Sequence, residues 1–165
     1  MKRVIIILSV LLLHIASIIA ANRFVLVIDA GHGGDDPGKI SSTNILEKDI
    51  NLKITLACKQ ILEKQNIHVV LTRDTDSGLY HSSDTNKKQA DMRARRSIME
   101  SANADLAVSI HQNSYPSSEV FGGQVFYYST SEKGKLLASY LQTAIHNLNP
   151  KNTRDIKSNS DYYIL

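Results

Sequence analysis

Apolar and polar stretches alternate along the chain in a way that predicts strands and helices in turn. Phe24 to Asp29 reads FVLVID, a continuous apolar run closed by an acid, as buried parallel strands read. A glycine-rich loop, Gly31 to Gly38, follows. From Glu47 to Gln65 the residues Ile50, Ile54, Ala57, Ile61 and Leu62 recur near a 3.6-residue period, which predicts a helix with those residues on its apolar face and Asn44 as its cap. HVVL at 68–71 is a short second strand. Thr72 to Lys88 is polar and rich in Ser, Asp and Thr, so it reads as a long loop; long loops in compact domains are often functional. Gln89 to Ala102 predicts a second helix with arginines along one side. DLAVSI, Asp105 to Ile110, is a further buried strand, and GQVFYY, Gly123 to Tyr128, is another. Glu132 to Asn147 predicts a third helix, with Leu136, Leu137, Tyr140, Leu141, Ala144 and Ile145 on its apolar face and Asn149-Pro150 stopping it. The tail from Lys151 to Leu165 starts polar and ends YYIL, at the start of another element. Strands that alternate with helices imply an α/β fold in three layers, a largely parallel or mixed twisted sheet with helices on both faces.

Composition narrows this little. A chain of 165 residues with 42% hydrophobic and 21% charged residues suits one soluble globular domain. The net charge of +3 is spread along the sequence, with no basic stripe or aromatic platform, so nucleic acid is not an expected partner. The N-terminus is a separate matter. Lys2 and Arg3 precede an apolar run at 4–20, and small residues follow at Ala20 and Ala21. That is the layout of a secretory leader over residues 1–21, or of an uncleaved membrane anchor, and either places residues 22–165 outside the cytoplasm. Cys58 is the one cysteine, which excludes an internal disulfide and suggests a small buried hydrophobe.

Two histidines stand out by position. His32 lies just past the strand ending at Asp29, and His111 directly follows the strand ending at Ile110. In open α/β sheets, ligands gather beyond the carboxyl ends of strands, so both imidazoles emerge on one edge. Glu47, at the opening of the first helix, can bring a carboxylate to that edge. Two histidines and a carboxylate, with a fourth position left to water, make a common catalytic zinc set. Spacing alone leaves other readings open. The Gly31-His32-Gly33-Gly34 run could cradle a phosphate, although no helix begins at once behind it, and Glu47 could be an acid favoured by the helix dipole.

The motifs VIDAGHGGDDPG at 27–38, LEKDINL at 46–52, LTR at 71–73 and ADLAVSIHQN at 104–113, in this order, resemble the zinc-dependent N-acetylmuramoyl-L-alanine amidases of type 3. The resemblance runs from about Phe24 to the end of the chain. GLYHSSDTNKK at 78–88, MRAR at 92–95 and SDYYIL at 160–165 look closest to the sporulation and germination branch, whose members help make the muramic-δ-lactam of spore cortex. The resemblance implies that His32, Glu47 and His111 hold Zn2+, that peptidoglycan is the substrate, and that the protein acts at the cell wall or the outer face of the membrane. Arg95 and Asn113 match recurring family positions and are candidates for a supporting or substrate-contacting role, and Asp29 for orienting His32. There is also a departure. The family's general-base glutamate lies in a later segment, and no glutamate follows Glu132 before Leu165. The fold is therefore expected without its last strand and helix, and the site is expected to bind zinc but hydrolyse poorly.

Overall fold

A computed structural model describes residues 23–162 apart from 116 and 118. The stretch at 1–21, expected to be a leader or anchor, and the last three residues of the YYIL tail lie outside the described residues. The chain divides after Gln112 into two compact units.

The first unit is built on three parallel strands, β1 (Val25–Ala30), β2 (His68–Leu71) and β3 (Leu106–Ile110), in the order β2-β1-β3. The central β1 is apolar throughout because both its faces are covered. Side chains alternate between the faces of a strand. Leu26 and Ile28 project one way and, with Val69, form the buried centre of the core, against which Cys58, Leu62, Ile67 and Val108 pack. Val27 and Asp29 project the other way. Cys58 and Leu62 belong to helix α1 (Glu47–Glu63), whereas Asp29 is bonded to Arg95 of helix α2 (Lys87–Ser101). The two helices therefore cover opposite faces, as the sequence predicts.

In the second unit, β4 (Phe126–Tyr128) and β5 (Lys157–Asn159) run parallel, joined by helix α3 (Glu132–Leu148). The buried Gln142 of α3 stitches this β–α–β element together. It accepts from the Val125 N–H at 2.9 Å and donates to the carbonyls of Gly123 at 3.1 Å and Arg154 at 2.7 Å.

Several local expectations are corrected. The strand expected over Gly123 to Tyr128 forms only at its last three residues, since Gln142 occupies the backbone groups just before it. Asn44 does not cap α1. It takes a left-handed turn at φ 61°, and the helix opens at Leu46 without a side-chain cap. Loop carbonyls do that work: Lys39 accepts from the Glu47 N–H at 2.9 Å and Pro37 from the Lys48 N–H at 3.2 Å. The arginines of α2 do not share a side. Arg93 and Arg96 are exposed, and Arg95 points inward. Cys58 is half-buried at the core margin.

The largest departure is the face of α1. Its buried residues are polar, Glu47, Asn51 and Thr55, in one row at a four-residue spacing. Ile54 and Ile61, on the predicted apolar face, are 38% and 63% exposed. Glu47 must point into the sheet edge, and the helical period then carries Asn51 and Thr55 inward with it.

Among the described residues, Thr55 Oγ1 is a buried hydroxyl without a hydrogen-bond partner. Such a group costs about 1–3 kcal/mol. Thr55→Val keeps the branched shape and removes the hydroxyl, so it is expected to raise Tm by about 3 °C. Thermal unfolding checks this, and a lowered Tm would show that the hydroxyl is satisfied.

Candidate metal centre

Register brings the two histidines together. β1 and β3 are neighbours with Ala30 opposite Ile110, and the Gly31 N–H extends the ladder by donating to the Ile110 carbonyl at 3.0 Å. His32 and His111 then leave adjacent strands at the same edge. With β2 on the far side of β1, this gap is where strand order reverses. Glu47 reaches the gap from the first turn of α1. His32 Nε2 lies 3.2 Å from Glu47 Oε1, and His111 Nδ1 lies 3.1 Å from the same oxygen. The imidazole rings meet edge to face, with centroids 4.8 Å apart. One ligand atom from each of the three side chains lies within 4.8 Å of the others, and among the described residues no other His, Cys, Asp or Glu trio is gathered so closely.

The donor chemistry fits a cation. Asp36 Oδ2 sits 2.9 Å from His32 Nδ1. A carboxylate only accepts, so the proton lies on Nδ1 and, in the neutral ring, Nε2 presents a lone pair. That lone pair faces Glu47 Oε1, another acceptor. The same oxygen also takes the Gln112 N–H at 2.9 Å. Acceptors pointed at one another need a proton or a metal ion between them, and two imidazole nitrogens with a carboxylate oxygen suit zinc.

Residues 26–165 match the N-acetylmuramoyl-L-alanine amidase family. The chain belongs to this amidase family. It is 30% identical over 144 residues to a germination-specific N-acetylmuramoyl-L-alanine amidase of Bacillus subtilis, covering 86% of this chain and 60% of that protein. It superposes on the CwlD amidase of Clostridioides difficile, solved in complex with the GerS lipoprotein, with a TM-score of 0.83 and 34% identity over 87% of this chain and 76% of that one. The catalytic domain of CwlV from Bacillus (Paenibacillus) polymyxa gives a TM-score of 0.70 and 28% identity, covering 86% and 72% of the two chains. The chain spans under two thirds of the length of its curated relatives, 60% and 56% for two of them.

In this family member the loop carrying His32 is held by its carbonyls. Arg95 donates to Ala30 O and to His32 O, both at 2.7 Å. Arg73 donates to Ala30 O at 2.9 Å, Gly31 O at 3.1 Å and Lys48 O at 2.8 Å. With every carbonyl turned inward, His32 adopts a left-handed backbone at φ 64°, costly for a residue other than glycine unless its surroundings enforce it. The loop from Thr72 onward straps the other side. Asp76 accepts from the Gly34 N–H at 2.9 Å and pairs with Lys48 at 2.7 Å, and Tyr80 accepts from the Asp35 N–H at 3.0 Å. Gly31 is required by close approach, since a Cβ there would stand 2.3 Å from the His111 ring.

Glu47 is kept ionised. Burial pushes its carboxyl up, but the N–H groups of Lys39 and Gln112 and the two histidines outweigh this and hold it below the ordinary carboxylate value.

The structure reassigns one expected role. Asp29 does not touch the His32 ring, which it would have to do to orient it; Asp36 does. Asp29 projects to the α2 side of the sheet and binds Arg95 at 2.6 Å, so it bears on His32 only through the backbone that Arg95 holds. Arg95 is itself buried and supports the loop. Asn113 is exposed at the start of the second unit. Asp36 and Arg73 were not singled out from the sequence. Their signals were present, a carboxylate four residues after His32 and the arginine of the LTR motif.

Burial alone would raise the Asp29 carboxyl, yet Arg95 and hydrogen bonds from Ser109, Thr72 and Arg95 hold it below its ordinary value of 3.8. The unfolded chain thus takes up this proton first. The stabilisation is full above about pH 4 and is lost as pH falls through the lower, folded value. Urea unfolding is expected to show stability rising with pH across this acid range in the wild type, and a weaker acid dependence in a less stable Asp29→Asn.

Proposed function

We propose that this chain is a zinc-dependent hydrolase of peptidoglycan that cleaves the amide between N-acetylmuramic acid and L-alanine, with the ion held by His32, Glu47 and His111. The observation that carries the reading is the convergence of His32 Nε2 and His111 Nδ1 on one oxygen of an ionised Glu47. Family membership supplies the bond to be cleaved. Zinc bound by these side chains supplies a Lewis acid for the amide carbonyl and lowers the pKa of a water molecule toward neutrality. The protein's own part is positioning. Asp36 fixes the His32 tautomer, Arg95 and Arg73 fix its backbone, and His111, 44% exposed, leaves the site open to a polymer strand. Across the reaction the water oxygen joins the lactyl acyl carbon, the carbon–nitrogen bond breaks, and the alanine nitrogen leaves as a protonated amine.

Within these 165 residues no glutamate follows Glu132. Among the described residues the carboxylates in contact with the two histidines are Glu47 and Asp36, and both are engaged. Neither is free to take a proton from water, a role worth about 10²–10⁴-fold in rate. These residues therefore account for zinc binding and not for the proton acceptor. The likeness to a germination-specific amidase and to CwlD supports a finer reading, in which the polymer is spore cortex and cleavage serves muramic-δ-lactam formation. The apolar stretch at 4–20 supports action outside the cytoplasm, released or anchored.

Purified protein is expected to hold about one zinc ion per chain by elemental analysis, and the His32→Ala, His111→Ala double variant to lose it. Zinc retained by the double variant would overturn the metal site.

A further inference from the structure

Asn51 lies one helical turn past Glu47 on α1 and is fully buried. Its side chain meets all three segments that carry the metal-ligand candidates. Nδ2 donates to the carbonyl of Gly31, next to His32, at 3.1 Å, and reaches Glu47 Oε1 at 3.4 Å. Oδ1 accepts from Nε2 of Gln112, next to His111, at 3.1 Å. The partners fix which way the amide points. A carbonyl only accepts, so the NH2 group must face Gly31 and the oxygen is left for Gln112. Gln112 in turn gives its backbone N–H to Glu47 Oε1, which closes a ring of hydrogen bonds through Asn51, Glu47 and Gln112.

We infer that Asn51 is a positioning residue for the metal centre: one buried amide that sets the spacing of His32, Glu47 and His111, and with it the affinity of the site for zinc. The inference rests on the zinc reading above. Asn51 acts on the ligands rather than on the ion. It holds Gly31, whose missing side chain is what lets the His111 ring approach, so the peptide it grips serves both histidines. Water cannot stand in for it at no cost, because two of its partners, Gly31 and Glu47, are buried. The choice of an amide is also explained. A carboxylate at this position would set an acceptor against the Gly31 carbonyl and a second negative charge against Glu47, pushing apart the groups that Asn51 draws together.

Asn51→Asp is therefore the informative change, since it keeps the shape and reverses the hydrogen-bonding sense. Metal-free full-length chain, wild type and variants, would be titrated with zinc against a chromophoric chelator. Co2+-substituted protein would be followed by its visible absorption bands, and folding by circular dichroism of the metal-free form. Asn51→Asp and Asn51→Ala are expected to weaken zinc binding by about 10- to 100-fold and to alter the cobalt bands, with Asp at least as damaging as Ala. A residue that only fills space would leave Asn51→Asp close to wild type. Should both variants fail to fold, Gln112→Leu removes the partner of Asn51 Oδ1 from a half-buried position and is expected to weaken zinc several-fold. The inference is overturned if a folded Asn51→Asp, or Gln112→Leu where it alone folds, keeps wild-type cobalt bands and holds zinc within about twofold of wild type. A wild-type chain that takes up no zinc overturns the metal reading itself, an outcome distinguishable from the first because it appears before any substitution.

Discussion

The buried carboxylate of Asp29 is the point on which the first unit turns. Its two oxygens receive Arg95 from α2 at 2.6 Å, the Thr72 hydroxyl just past β2 at 2.7 Å and the Ser109 hydroxyl of β3 at 2.5 Å. One side chain on the central strand thus binds a group from each flanking strand segment and from a helix. A charge is costly to enclose, and this one is compensated because an arginine pairs with it and both oxygens accept hydrogen bonds. Arg95 is compensated in turn by Asp29, by Asp91 and by the carbonyls of Ala30 and His32. The demand for full pairing therefore reaches from the middle of the sheet to the backbone of a metal-ligand candidate. The left-handed turn at His32 is one of its effects.

This arrangement places fold stability and site geometry in the same bonds. The apolar centre is small, with Leu26, Ile28 and Val69 as its buried cluster, and much of the enclosed space holds polar groups instead. Helix α1 shows the compromise. It turns a polar row toward the sheet so that Glu47 and Asn51 can serve the edge, and it leaves isoleucines in contact with solvent. Local rules are often broken where a site demands it, and here the broken rule identifies the helix face that does the work.

How much could be read in advance follows from the range of the forces involved. β1 and β2 were legible because a strand covered on both faces needs unbroken apolar residues. The shared edge of His32 and His111 was legible because parallel order and strand ends fix it, and Glu47 because it opens the helix behind the same loop. The face of α1 was not legible, since apolar periodicity reports what a helix could bury and not what a neighbouring site requires. Asp36 and Asp29 illustrate the same limit. Both are acids close to His32 in sequence, and only the two-way turn between Gly33 and Asp36, with N–H to carbonyl distances of 3.0 and 3.2 Å, brings one of them back onto the ring. Arg73 and Asn51 act through carbonyls and amides, whose partners leave no trace in composition.

The spacing of the three ligand candidates along the chain has a consequence for assembly. Glu47 and His111 stand 64 positions apart, and His111 reaches its place only once β3 has paired with β1. An unfolded chain therefore offers the ion scattered single donors and almost no affinity. Under the zinc reading proposed above, an ion held by the native fold would stabilise it by about 2.7 kcal/mol when the free ion is at a hundred times its dissociation constant. Such an ion would tie together three segments, following β1, opening α1 and following β3, that are distant in the chain.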